Sequence, residues 1–281
     1  MARRSSLGNS LDGARRAVAV DRSSSYAPEP EEAGAGSRML TATRYARGFF
    51  DLQLQFAKTV STLSGLPLDR TLLEYTNFYI RFGLGRDFDA ANPGWQEYLA
   101  GLGGTGDRSE WTRQFYASRG RTKPPPSVVA TFGCFSYARL GTDRIRLHFQ
   151  NAEPDGRSPL GRACRDQRLI ELRALFEHAK RTEPQPLWVV GASWLYNLDA
   201  YRRLFPEPYL ATAHPFPGRF QHMPLWGQFV DRHGDVRTDM ARQFRERLEQ
   251  QSTLDRLDRC FPLPVLRLEA PIEEFCDFYD V

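Results

Sequence analysis

The sequence predicts a mixed α/β protein in which an N-terminal helical segment packs against a mixed sheet with helices. Three observations carry this. Residues 144–150 (Arg-Ile-Arg-Leu-His-Phe-Gln) alternate strictly between polar and apolar, residues 187–192 form a short continuous apolar run, and the intervening 166–181 carry leucines at helical spacing. A strand, helix and strand of these lengths make a right-handed parallel crossover. Ligands of open α/β sheets bind beyond the carboxyl ends of such strands, which here carry Gln150-Asn151 and Ser193-Trp194.

Taken in order, residues 1–40 are rich in Ser, Gly, Ala, Arg and Glu and lack an apolar period. Such a segment is expected to be disordered. Its arginines allow a transit-peptide reading that the acidic run Glu29 to Glu32 opposes, and a true start at Met39 is an equal alternative. Residues 41–121 read as helical. Phe49, Leu52, Phe56, Val60 and Leu63 mark one buried face ending at Gly65. Asp69 is expected to cap a second helix carrying Leu72, Leu73, Phe78, Tyr79 and Phe82. Pro93 opens a third helix, and Ser109 is expected to cap a fourth with Trp111, Phe115 and Tyr116. Lys123-Pro124-Pro125-Pro126 is a stiff extended joint.

Residues 127–281 read as the sheet domain, with 41–281 as one compact unit the other division. Strands 127–139 and 144–151 flank the turn Leu140-Gly141-Thr142-Asp143, a hairpin signal. After the crossover come a short helix over 198–205, a strand over 219–231 interrupted at Pro224, and a helix over 235–258. A short strand over 264–268 and a helix over 271–279 close the chain.

With 281 residues, 41% hydrophobic, the chain can bury a sizeable core. A net charge of +4 is not a nucleic-acid footprint, so nucleic acid is not an expected partner. Only Lys58, Lys123 and Lys180 are lysines; the remaining positive charge is arginine, the residue suited to bidentate carboxylate or phosphate contacts. A GC-rich genome gives the same bias and is the preferred account. Cys134, Cys164, Cys260 and Cys276 are too scattered for a disulfide framework, and no CxxC or HExxH spacing occurs. No metal site is expected, and reduced thiols with no apolar stretch of ~18 residues point to a cytoplasmic protein without a membrane span.

His148 sits on the polar face of its strand beside Arg146 and Gln150. It is either a general base or part of a solvated face. Ser193 ends a strand before a helix, as a nucleophile does. Leu195 replaces the second glycine of a G-x-S-x-G elbow, which favours a serine that caps the next turn. Asn197 can cap the helix beyond it, whose first turn offers free N–H groups to an anion. Met223, Pro224 and Trp226 form an exposed apolar lip or a bulged edge strand, and His214, His222 and His233 read as loop histidines.

The succession Ile145-Arg146-Leu147-His148-Phe149, helix, Ser193-Trp194-Leu195, helix, Phe220-Gln221 resembles the C-terminal lobe of GNAT-type acyltransferase-like proteins over residues 127–231. The segment Ser-Trp-Leu-Tyr-Asn…Ala-Tyr-Arg-Arg-Leu-Phe-Pro resembles one shared by a group of uncharacterised bacterial proteins. The acyltransferase resemblance implies an α/β fold and an acyl-CoA substrate, with no tightly bound cofactor. It departs at the pyrophosphate loop, Arg/Gln-x-x-Gly-x-Gly/Ala, whose nearest counterpart, Arg157-Ser158-Pro159-Leu160-Gly161-Arg162-Ala163, is one residue longer between Arg and Gly.

On this reading the protein is a GNAT-like acyltransferase relative, active or degenerate, acting on a small-molecule donor and acceptor. His148 is the base, Asn151, Ser193, Tyr196 and Asn197 orient substrate, and Arg157 and Arg162 meet the donor's phosphates. The alternative is a non-catalytic module whose aromatic lip and N-terminus engage a protein partner. An enzyme requires His148, Asn151, Ser193 and Tyr196 to converge in one pocket, whereas a module requires a flat apolar patch there or at Trp226.

Overall fold

Helix α1 (Arg47–Ser64) forms where the apolar spacing predicts it, burying Phe49, Phe50, Leu52, Phe56 and Val60. Gly65 stops it in the left-handed conformation at φ 71°, its N–H donating to the Ser61 carbonyl. In this computed structural model the described residues are 45–119, 128–153, 157–216 and 223–281. The expectations for 1–40, the proline joint at 123–126, Phe220-Gln221 and His222 fall outside them. Residues 40–281 form one compact unit.

Helices α2 (Leu68–Tyr75), α3 (Phe78–Arg81), α4 (Pro93–Gly104) and α5 (Arg108–Ser118) follow. Asp69 lies in the first turn of α2, whose cap position is Pro67. Asn92 caps α4 ahead of Pro93, accepting from the N–H groups of Gly94 and Trp95. Asp107, not Ser109, caps α5. The Ser109 hydroxyl instead donates to Asp51 at 3.0 Å, tying α5 to α1.

Six strands form one mixed sheet: β1 (Val128–Phe132), β2 (Phe135–Arg139), β3 (Arg144–Phe149), β4 (Trp188–Ser193), β5 (His214–Pro215) and β6 (Leu266–Pro271), in the order β1-β2-β3-β4-β6-β5. The single strand expected over 127–139 is two strands, because Gly133 at φ 56° reverses the chain between them. Strands β3 and β4 pair in parallel through helix α6 (Arg165–Thr182), as the crossover pattern predicts. All other pairings are antiparallel.

Helices α7 (Asp199–Arg202) and α8 (Glu207–Ala211) follow β4. The strand expected at 219–231 is not seen in its described part. Met223–Trp226 is helix α9, followed by a 3-10 turn at Gly227–Phe229. Leu225, Trp226 and Phe229 recur at helical spacing, and all three are buried. Trp226 is 0% exposed, so the aromatic ring of the expected lip is core. Helix α10 (Thr238–Glu249) is shorter than the expected 235–258, and α11 (Ile272–Tyr279) closes the chain behind Pro271.

Two apolar cores result. One joins α1–α5 with α9, α10 and the segment up to Val265. The other lies under one face of the sheet, where Phe135, Tyr137, Ile145, Leu147, Val189, Leu268 and Ala270 meet α6, α11 and the 196–209 region. No helix is long and apolar enough to cross a membrane among the described residues.

Candidate functional site

Side chains of a strand alternate between the two faces of its sheet, so the register assigns every residue a side. Ile145 and Leu147 belong to the apolar core beneath the sheet, so Arg144, Arg146 and His148 project from the other face. Arg144 pairs with Trp188, and Arg146 with Val190. Val190 in turn pairs with Glu269, and Ala192 with Arg267. Ser136 stands opposite His148 on β2. This face therefore carries Arg144, Arg146, His148, Arg267 and Glu269, with Trp188 at one end.

A loop from the helical region adds to it. After α3, Gly83 and Gly85 take φ of 73° and 121°, conformations that side-chain-bearing residues rarely adopt, and Arg86 follows. Arg86 lies close enough to both Arg146 and His148 to act on their charges.

The face has an excess of unneutralised positive charge. Glu269 is shared by Arg144 at 3.6 Å and Arg267 at 3.2 Å. Among the described residues, the side chains of Arg146, Arg86 and His148 have neither hydrogen bond nor ion pair. Asp87, next to Arg86, accepts instead from the Tyr79 hydroxyl at 2.9 Å. Burial lowers the Arg146 pKa, with repulsion from Arg86 and Arg267 adding to it. Burial, then Arg146 and Arg86, lowers that of His148 to about 4. At neutral pH the imidazole is therefore uncharged, with one nitrogen free to accept a proton or hydrogen bond.

The opposite face is closed by tyrosines. Tyr196 and Tyr209 meet hydroxyl to hydroxyl at 2.7 Å under Gly191, where a Cβ would lie 2.1 Å from both oxygens. Tyr201 and Tyr279 complete the cluster, and the Tyr279 hydroxyl donates to the Leu204 carbonyl. Burial raises the pKa of all four phenols.

The expected site residues thus fall into four places. His148 is on the basic face, whereas Tyr196 is in the core beneath the sheet, so the two do not share a pocket. Ser193 caps the turn after β4, its oxygen accepting from the Leu195 N–H. Asn197 does not cap a helix; its amide donates to the carbonyls of Trp194 and Pro264, pinning the β4 turn to the segment before β6. Asn151 accepts from the Glu153 N–H in the loop after β3. Arg157, further along that loop, lies 3.6 Å from Glu153. Arg162 begins the 3-10 turn before α6. Leu160, between these arginines, packs into the tyrosine-side core, and Arg203 donates to its carbonyl, so this loop is held toward the closed face.

Arg86, Arg146 and Arg267 were not among the expected site residues. The alternation of 144–148 already put Arg146 beside His148, and Leu266-Arg267-Leu268-Glu269-Ala270 alternates in the same way. Nothing local marks Arg86 except the glycines before it. Compared with protein-family models, curated proteins and solved structures, the chain matches none.

Proposed function

We propose that the basic face of the sheet binds a small anionic molecule bearing a phosphate or carboxylate. One observation carries the reading: the Arg146 side chain, on the strand face shared with Arg267, has no anionic partner among the described residues and feels the charges of Arg86 and Arg267. Charges withdrawn from water are ordinarily paired, and gathering like charges destabilises the fold unless an anion relieves the repulsion. Guanidinium groups suit such a ligand because their planar forks take phosphate or carboxylate two bonds at a time.

Acyl transfer from acyl-CoA to a small acceptor is a second reading, favoured by the uncharged His148 beside the arginines. An imidazole with a pKa near 4 is a weak base, but an anion docked on Arg146 and Arg86 would cancel part of the repulsion and raise its basicity. In that case the donor's phosphates meet Arg146 and Arg86 in place of Arg157 and Arg162. The four cysteines are free thiols, which supports a cytoplasmic setting.

The test is calorimetric titration of the full chain at low salt with inorganic phosphate, pyrophosphate and coenzyme A. Binding is expected for at least one, weakening as salt rises and lost in Arg146→Gln. Absence of binding by all three at millimolar concentration would sink the reading.

A further inference from the structure

We propose, resting on the anion-site reading above, that the ligand is a nucleotide whose base stacks on Trp188 and whose phosphate is held by Arg146 and Arg86. Trp188 is a large aromatic left 37% exposed on a sheet face otherwise dominated by charge. It opens β4 and pairs with Arg144 on one side and Pro271 on the other. Its side chain projects from the same face as Arg146, because Arg144 and Arg146 occupy alternate positions of one strand and pair with Trp188 and Val190. Two residues along a strand and one strand across separate the Trp188 and Arg146 backbones by about 8 Å. That separation matches the distance between base and phosphate across one ribose.

Charge selects where each part goes. Arg144, in register with the indole, already faces Asp143 at 3.8 Å and Glu269 at 3.6 Å. Arg267 is engaged by Glu269 at 3.2 Å. Arg146, without a carboxylate among the described residues, lies two positions farther along the face from Trp188 and feels the charge of Arg86, so an incoming phosphate is drawn there and the rest of the ligand extends back toward the indole. Two uncommitted positive charges match the double negative charge of a phosphate monoester near neutral pH. Between the two ends, Val190 pairs with Arg146 on one strand and Glu269 on the other. Glu269 therefore flanks the stretch where a ribose would lie, as a carboxylate able to accept from its hydroxyls. A bare anion would leave the exposed indole of Trp188 without a role.

The experiment compares the affinity of the full chain for AMP, ribose 5-phosphate and inorganic phosphate by calorimetry, in wild type, Trp188→Ala, Trp188→Phe and Glu269→Gln. Stacking of a base is worth about 1–3 kcal/mol, so AMP should bind roughly 10- to 100-fold more tightly than ribose 5-phosphate. Trp188→Ala should remove that ratio and leave phosphate affinity unchanged, while Trp188→Phe, which keeps an aromatic face, should retain most of it. Glu269→Gln should weaken AMP and ribose 5-phosphate more than phosphate. If phosphate binds and AMP binds no better, or if Trp188→Ala keeps the full preference, the nucleotide assignment falls and the anion site stands. If none of the three ligands binds, the anion site itself is wrong.

Discussion

The two faces of the sheet are built from alternate residues of the same strands, yet they treat polar groups in opposite ways. Beneath the sheet most polar groups are answered from within, the buried Nε atoms of Arg168 and Arg203 being exceptions. Tyr196 bonds Tyr209, Tyr279 bonds a backbone carbonyl, and Tyr137 donates to Glu183 at 2.9 Å. Arg168 of α6 reaches Glu153 at 2.8 Å and Glu171 at 2.7 Å through one terminal nitrogen, and the other terminal nitrogen donates to the Cys134 sulfur. Glu171 in turn accepts from the Cys134 N–H, which fastens the turn after Gly133 to the helix. On the opposite face Arg146, Arg86 and His148 have no such answer among the described residues. A network with most of its internal partners supplied serves the fold, while charge gathered without partners is what the proposed anion site rests on.

Two arginines make the contrast measurable. Arg168 is 2% exposed between two carboxylates that are themselves buried. Arg168→Met keeps the length of the stem but leaves Glu153 and Glu171 beside each other without their shared cation. Breaking a buried ion pair in this way costs about 3–5 kcal/mol, the largest effect expected anywhere in these two regions. Urea denaturation would measure it. A loss below about 1 kcal/mol would mean the carboxylates reach water or protons easily, and the closed face would then be less closed than its geometry implies.

The pH dependence of stability sharpens the comparison from the other side. His148 titrates near pH 4 in the folded protein, and an unfolded histidine near 6.5. Between those values the unfolded chain binds a proton that the native one refuses. Stability associated with His148 is therefore fully present above about pH 6.5 and falls as pH drops toward 4, by about 2–3 kcal/mol in all. His148→Gln should remove this part of the acid sensitivity, and saturating phosphate should reduce it in the wild type by offsetting the arginine repulsion. Parallel curves for wild type and variant between pH 7 and 4 would show that His148 is solvated and the face open to water.

Much of this fold was legible in the sequence because strand parity and helical spacing are local properties. The parallel crossover, the stop at Gly65 and the cap position before Pro93 follow from residues a few places apart. Some misses were local, the reversal at Gly133 and the caps at Pro67 and Asp107 among them, and others depended on contacts remote in sequence. Leu225, Trp226 and Phe229 form a turn of helix because Phe56, Phe244 and Phe261 surround Trp226, and Pro224 alone suggested a bulged strand. The site was half legible. Parity put Arg146 and His148 on one face, but Ser193, Tyr196 and Asn197 were grouped with them by the strand-end rule alone. Gly191 was the overlooked signal: its missing side chain admits the two tyrosine hydroxyls and folds Tyr196 under the sheet. Arg86 joins from a loop of the helical region, a juxtaposition no local pattern encodes.

The smallest expected effect on stability is the most decisive for the comparison. Arg146→Met preserves the apolar stem that lies along the sheet and removes a charge that Arg86 and Arg267 repel. Because the lost guanidinium has no carboxylate among the described residues, no buried anion is left behind, unlike the Arg168 variant. Stability should stay within about 0.5 kcal/mol of the wild type or rise slightly. The same substitution should abolish anion binding and move the His148 titration upward, since one of its two repelling charges is gone, although burial still holds it below the ordinary value. Denaturant midpoints, phosphate calorimetry and histidine NMR titration on one sample set would report all three. A destabilisation above about 1 kcal/mol would mean that Arg146 answers an internal need after all, and the two faces would no longer differ in kind.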